Sequence, residues 1–436
     1  MRLVLAAAAA ITVSANTVFA QNAPITTCDR AGIGSVRLIA DGPTATILEI
    51  SSAIAGSDAA AVPYCLVKVL VPQAINLWIG LPMDSKWNGK LQSVGGGGYA
   101  GVVAVPTAAI LGGFVGVSTD TGHSAQAGGS FGLLSPGKPN TPLQIDFAYR
   151  SEHLMSVIGR QLTQAFYGKP PSYAYWNGCS TGGRQGLMMA QRYPEDYNGI
   201  VAGAPAIHWD RFQAAQIWPQ IVMLRENGGA ISPAKLNMAT GAAVAACDAA
   251  DGVVDMVLDD PRTCRFDART LVCRASAGNP ETCLTESEAN AVNKIWEGPV
   301  VGGKRLWWGP RPGAALGGLA GSEPFRISVD QPRHWVYYDP AWNWQTLKLF
   351  ELQRIFRSDG EASGSNHGYR RSGFVPIQGP WRQADHVARM VGPAHHARWQ
   401  HRLLRRSDEE TRRGVRANTK LRPSLHGARR CSLRWR

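Results

Sequence analysis

Beyond residue 20 the 436-residue chain has no apolar run of membrane-spanning length, no internal repeat, and neither a Gly-x-Gly-x-x-Gly run opening a helix nor a Gly-Lys-Ser/Thr ending. The first absence argues against a helical membrane span, the second against a solenoid or propeller, and the third against the common nucleotide-phosphate cradles. Spare charge is also lacking over most of the length. Up to Leu349, Lys and Arg number 26 against 25 acidic residues, whereas from Phe350 onward they number 19 against 7. The near-neutral part gives no basis for nucleic-acid binding. The basic tail is Arg-rich, with 18 of its 19 basic residues Arg, and has little apolar periodicity.

At the N-terminus, Arg2 precedes an apolar stretch that ends Val18-Phe19-Ala20 before Gln21. Residues 1–20 are therefore expected to be a secretory signal peptide, and the mature protein to be periplasmic or secreted, with no membrane partner. Export makes the eight cysteines legible, because an oxidising compartment favours disulfides. The spacing suggests three local bridges, Cys28 with Cys65, Cys247 with Cys264 and Cys273 with Cys283. Cys179 and Cys431 remain.

Short β-rich runs alternate with turns and helical segments from residue 21 to about residue 206, which predicts an α/β fold around a mostly parallel sheet. Strands are expected at residues 66–71, 75–81, 91–94, 113–118 and 172–176, and helices at 147–166 and 184–193. Between the last strand and the last helix stands Gly178-Cys179-Ser180-Thr181-Gly182-Gly183. Strand, Gly-x-Ser-x-Gly, helix is the pattern of a nucleophile elbow, in which glycines let the chain turn sharply and hold a serine hydroxyl exposed. Ser180 is the expected nucleophile, and the Thr181 N–H, at a helix N-terminus, the expected oxyanion donor. The run Gly95-Gly96-Gly97-Gly98 follows another strand. It reads either as a second source of oxyanion donors, at Gly97 and Gly98, or as a plain flexible turn. His123, in a loop after a further strand, is expected to be structural.

From about residue 207 to 349 the sequence turns Trp-, Gly- and Pro-rich, as expected for a lid inserted in the core. Within it Asp248, Asp251 and Asp255 crowd together, followed by Asp259 and Asp260. Carboxylates at this density need solvent or a hard cation, so the loop reads as a calcium site or as a solvated acidic loop; the spacing is not that of an EF-hand. Trp307, Trp308, Trp335, Trp342 and Trp344 suit either an aromatic substrate or a lid core.

The string Asn177-Gly178-Cys179-Ser180-Thr181-Gly182-Gly183-Arg184-Gln185, continued by Arg192-Tyr193-Pro194 and Gly203-Ala204-Pro205, resembles the tannase and feruloyl esterase family. Mono(2-hydroxyethyl) terephthalate hydrolases are similar too. The resemblance runs over about residues 28–349. It implies an α/β-hydrolase core with a calcium-binding lid, Ser180 as nucleophile, Thr181 and a glycine of the quartet as oxyanion donors, and calcium held by Asp248, Asp251, Asp255 and the carbonyls of Val253 and Val257. The implied substrates are small aromatic esters such as gallates and ferulates. It also implies a triad aspartate on a Trp-Ala/Ser-Asp turn and a C-terminal His-Cys pair whose cysteine bridges Cys179. Neither Trp-x-Asp nor His-Cys occurs after Leu349.

Reading one nucleotide later restores both motifs on paper: the codon junctions of Met390, Val391, Gly392 and Pro393 permit Trp-Ser-Asp, and residues 425–435 permit a stretch containing His-Cys-Gly. The tail from residue 350 is thus expected to be a frame-shifted family C-terminus that does not fold natively and leaves the core incomplete. On that reading His395, His396 and His426 are accidental. Two functions stay open, a secreted serine esterase of aromatic esters and a member without turnover that binds ligand. Nothing in the sequence fixes the acid, the alcohol or the oligomeric state.

Overall fold

The computed structural model describes residues 24–357 apart from residue 26 and residues 275–279. The expected signal peptide, Cys431 and the tail histidines lie outside the described residues. Eight strands make one sheet: β1 (Leu38–Ile39), β2 (Thr44–Ala55), β3 (Val62–Val71), β4 (Ile75–Pro82), β5 (Lys90–Val94), β6 (Val115–Thr119), β7 (Tyr173–Cys179) and β8 (Gly199–Gly203), in the order β1-β2-β3-β4-β6-β5-β7-β8. The strands from β1 to β4 and on to β6 pair antiparallel. The half from β6 through β5 and β7 to β8 is parallel, and it carries the site.

Helix α1 (Ser151–Tyr167) covers this parallel half. Leu154, Met155, Ile158, Leu162 and Phe166 recur at helical spacing and are buried with Leu91, Val117, Ala174 and Trp176 of the strands. Burial of each such side chain contributes roughly 1.5–3 kcal/mol of transfer free energy. Gly168, at φ 73°, stops the helix in the left-handed conformation. Helix α2 (Thr181–Arg192) follows β7 directly and buries few apolar side chains; Gly182, Gly183, Gly186 and Met189 form its inner face. A helix faced with glycine lies close to the strands beneath it.

The region from residue 207 builds its own core. Helices α3 (Trp218–Glu226), α4 (Pro233–Cys247) and α5 (Glu286–Glu297) bury Trp218, Ile221, Leu236, Val292 and Ile295 together. The boundary expected at residue 350 falls too early. Helix α7 (Leu349–Arg357), which follows α6 (Arg326–Gln331), places Leu352, Ile355 and Phe356 in this same cluster. Leu352, Ile355 and Phe356 recur at three- and four-residue spacing and so share one buried face, while Leu349 and Phe350 at the start of the helix stay exposed.

All three expected bridges form: Cys28 to Cys65, Cys247 to Cys264 and Cys273 to Cys283. Cys179 belongs to none of them. No helix among the described residues is long and apolar enough to cross a membrane.

Candidate active site

Ser180 sits between β7 and α2 with φ 60° and ψ −118°, a conformation that non-glycine residues seldom adopt. Three backbone bonds hold it there. Its N–H donates to the Gly203 carbonyl at 3.0 Å, and its carbonyl accepts from Arg184 and Ala206 N–H groups, each at 3.0 Å. Steric crowding explains the flanking glycines: a Cβ on Gly178 would lie 2.5 Å from the Gly182 carbonyl carbon, so any side chain there would push the helix off the strand. Ser180 thus stands at the strand-to-helix turn expected from the flanking glycines.

The glycine quartet leaves β5 and packs backbone to backbone against α2. A Cβ on Gly95 would stand 2.6 Å from the Gly182 Cα. The Thr181 hydroxyl donates to the Gly98 carbonyl at 2.6 Å, and the Gly96 N–H donates to Gln185 Oε1 at 3.0 Å. With Gly96 committed, Gly97 and Gly98 keep N–H groups that donate to nothing among the described residues. Thr181, first residue of its helix, has an N–H with no carbonyl one turn back to accept it. The Thr181 N–H is next in sequence to the half-buried serine, and the bond from the Thr181 hydroxyl to Gly98 ties the glycine turn to the same helix end.

Around this centre the side chains are anchored elsewhere. His123 Nε2 donates to the Tyr99 carbonyl at 2.6 Å, and its ring stacks on Phe131 at 3.5 Å. Burial holds its pKa below the usual histidine value, which keeps it neutral and structural. His153 is paired with Asp196 at 2.7 Å and Asp41 at 3.2 Å. His208 is exposed and His334 lies 3.8 Å from Asp330. Among the described residues neither a histidine nor a carboxylate bonds the Ser180 hydroxyl.

Next to the elbow two ionisable side chains are buried, a burial that the sequence did not predict although Arg184 stands in the string that carries the family resemblance. Glu152 is 0% exposed and Arg184 is 3% exposed. Burial, opposed by the Arg184 charge, raises the Glu152 carboxyl to about 7, and burial, opposed by Glu152, lowers Arg184 to about 10. Arg184 donates to the Phe147 and Ala148 carbonyls and stacks over Phe147.

The region from residue 207 onward meets this centre through α6. Gly98 has Ile327 for a neighbour, with 3.0 Å between its would-be Cβ and Ile327 Cδ1. Gln331 Oε1 accepts from Trp209 Nε1 at 2.8 Å and Tyr99 Oη at 3.2 Å, and Trp335 Nε1 donates to the Gly129 carbonyl at 2.9 Å. Trp335 and Trp344 are buried, so at these two positions the aromatic residues serve packing. A cavity of about 470 Å3 opens nearby between Ser130, Arg326, Asp330, Arg333, His334 and Trp344; Ser180 does not line it.

In the acidic loop Asp248 is buried and has no basic partner among the described residues. Asp251 accepts from the Val253 and Asp259 N–H groups, Asp255 accepts from Val257, and Asp248 accepts from Asp255 at 3.4 Å. No three acidic, histidine or cysteine side chains converge as a metal cage among the described residues.

Comparison with known proteins gives a consistent picture. Residues 65–327 match the family model described as tannase and feruloyl esterase. A probable feruloyl esterase of Arthroderma benhamiae is 35% identical over 316 residues, 67% of this chain and 58% of that protein. A probable feruloyl esterase B of Aspergillus clavatus is 32% identical, over 66% of this chain and 56% of that protein. The chain thus spans less than three fifths of the length of these relatives. Among solved structures, feruloyl esterase B from Aspergillus oryzae superposes with a TM-score of 0.63 at 27% identity, covering 72% of this chain and 66% of that one. Tannin acyl hydrolase from Aspergillus niger, at 24% identity, 76% and 68% coverage and a TM-score of 0.65, shares the fold.

Proposed function

The chain belongs to the tannase and feruloyl esterase family, and from that premise we propose that it is an exported carboxylic-ester hydrolase of small aromatic esters, acting through an acyl-enzyme on Ser180. The strained backbone of Ser180, wedged between β7 and α2 beside the glycine turn, carries the reading. Its Oγ attacks the ester carbonyl. The resulting oxyanion is received by the N–H groups of Thr181 and of Gly97 or Gly98, and its collapse breaks the ester C–O bond and releases the alcohol, which carries away the proton that Oγ gives up. Water then hydrolyses the acyl-serine through a second oxyanion in the same place. Three disulfides support export, because they persist in an oxidising compartment.

We further propose that the lid loop holds calcium on Asp248, Asp251, Asp255 and the carbonyls of Val253 and Val257. The all-oxygen donor set and a buried Asp248 without a basic partner support it. The ion would stabilise the lid, and no step of the ester chemistry passes through it.

A second reading is favoured by one observation: no base bonds the Ser180 hydroxyl among the described residues. A serine without a base is a poor nucleophile, and on this reading the chain binds ligand without turnover. The frame shift proposed for the tail accounts for it, and the nucleotide sequence across codons 340 to 436 tests it. Hydrolysis of p-nitrophenyl acetate, methyl ferulate and methyl gallate separates the two readings. The esterase reading expects turnover of roughly 1 per second or faster, lost in Ser180→Ala. A folded chain with no turnover contradicts it.

A further inference from the structure

Glu152 and Gln185 are the buried polar pair that the ester chemistry leaves unused. Glu152 lies in the first turn of α1, Gln185 in the second turn of α2, and both are 0% exposed. The two ends of the Gln185 amide are fixed in opposite directions. Its Nε2 donates to Glu152 Oε1, and its Oε1 accepts the Gly96 N–H at 3.0 Å. Glu152 is itself fixed: Ser151 Oγ donates to Oε2 at 3.0 Å, and Tyr197 Oη donates to its backbone carbonyl at 3.1 Å.

An amide can rotate and exchange its oxygen and nitrogen positions at little cost unless a neighbour distinguishes them. The Gly96 N–H does so, because a backbone N–H donates and cannot accept, and it therefore holds the amide oxygen toward the glycine turn and the amide nitrogen toward Glu152. Burying a carboxylate for packing alone is costly, so its presence under the turn calls for a reason. We propose that Glu152 and Gln185 are positioning residues that tie the glycine turn at residues 95–98 to the nucleophile helix and so set where the Gly97 and Gly98 N–H groups lie. This deepens the esterase reading, in which those groups receive the oxyanion.

Amide hydrogen exchange on the full chain, read by peptide mass spectrometry, tests the tie without needing turnover. Gln185→Ala is expected to speed exchange of a peptide containing residues 95–98 by about tenfold or more, with β3 and β4 peptides unchanged. The double variant E152Q/Q185E exchanges donor and acceptor while keeping both bonds, and it is expected to return within about twofold of the parent. In a parent that hydrolyses p-nitrophenyl acetate, kcat follows the same order and KM stays within about twofold, since the oxyanion donors act on the transition state. An unchanged turn in Gln185→Ala overturns the proposal, as does a double variant that fails to fold or to recover. A parent without turnover overturns the esterase reading alone, and the exchange result then decides the positioning claim.

Discussion

The elbow and the acidic loop are both glycine-containing turns with a dense motif, yet they are held by different forces. At the elbow the constraint is steric: Gly178, Gly182 and Gly95 meet at distances that exclude a Cβ, inside a sheet whose neighbouring strands are buried. In the loop the carboxylates accept from nearby N–H groups, and Val253, Val254 and Met256 stand exposed. A turn fixed by backbone contact forms from the chain alone. A turn fixed by like charges needs a partner of opposite charge to become rigid.

Glycine substitution should break the symmetry most sharply. Gly178→Ala forces a Cβ into the Gly182 backbone and is expected to cost about 3 kcal/mol or more, read as a lower urea midpoint. Gly252→Ala, in the loop, meets nothing within 4 Å and bears only its φ of +93°, so about 1 kcal/mol is expected. Equal costs would show that the elbow is not sterically locked.

Next in size is removal of the proposed ion. If calcium occupies the loop at a hundredfold excess over its dissociation constant, it contributes about 2.7 kcal/mol, and EGTA should lower the melting temperature by roughly 3–4 °C. Asp248→Ala should melt at the chelated temperature and respond no further. A chelator without effect would leave the loop merely acidic.

The comparison also explains what the sequence disclosed. Ser180, the parallel strands, helix α1 and the three bridges were legible because each depends on local spacing: glycines around a serine, apolar residues at helical or alternating period, cysteines close in the chain. Glu152, Arg184 and Gln185 were not. Polar residues on a helix ordinarily face water, and only the glycine-faced approach of α2, together with α1, encloses these three. Nor did the run at residues 350–357 stand out. Leu352, Ile355 and Phe356 make an apolar face among charged neighbours, and the Arg-rich composition of the tail masked it.

The smallest effect expected is on pH. Burial of His153 favours its neutral form, but the hydrogen bond and charge of Asp196, with Asp41, outweigh it and raise its pKa above the usual histidine value. A folded-state pKa above the unfolded one means that this stabilisation is complete below the unfolded pKa and is lost as pH rises through the folded one. The parent should therefore lose up to about 1 kcal/mol relative to His153→Gln between pH 6 and pH 8. Parallel stability curves for the two would remove His153 as a contributor.

The most direct test of the account is covalent capture at Ser180. Incubation with a fluorophosphonate, which a presented serine attacks and which cannot be hydrolysed away, should give one adduct per chain, mapped to the peptide containing Ser180 and absent in Ser180→Ala. A folded chain that takes up no label at this serine, or that labels equally well in the alanine variant, would contradict the assignment of Ser180 as the nucleophile.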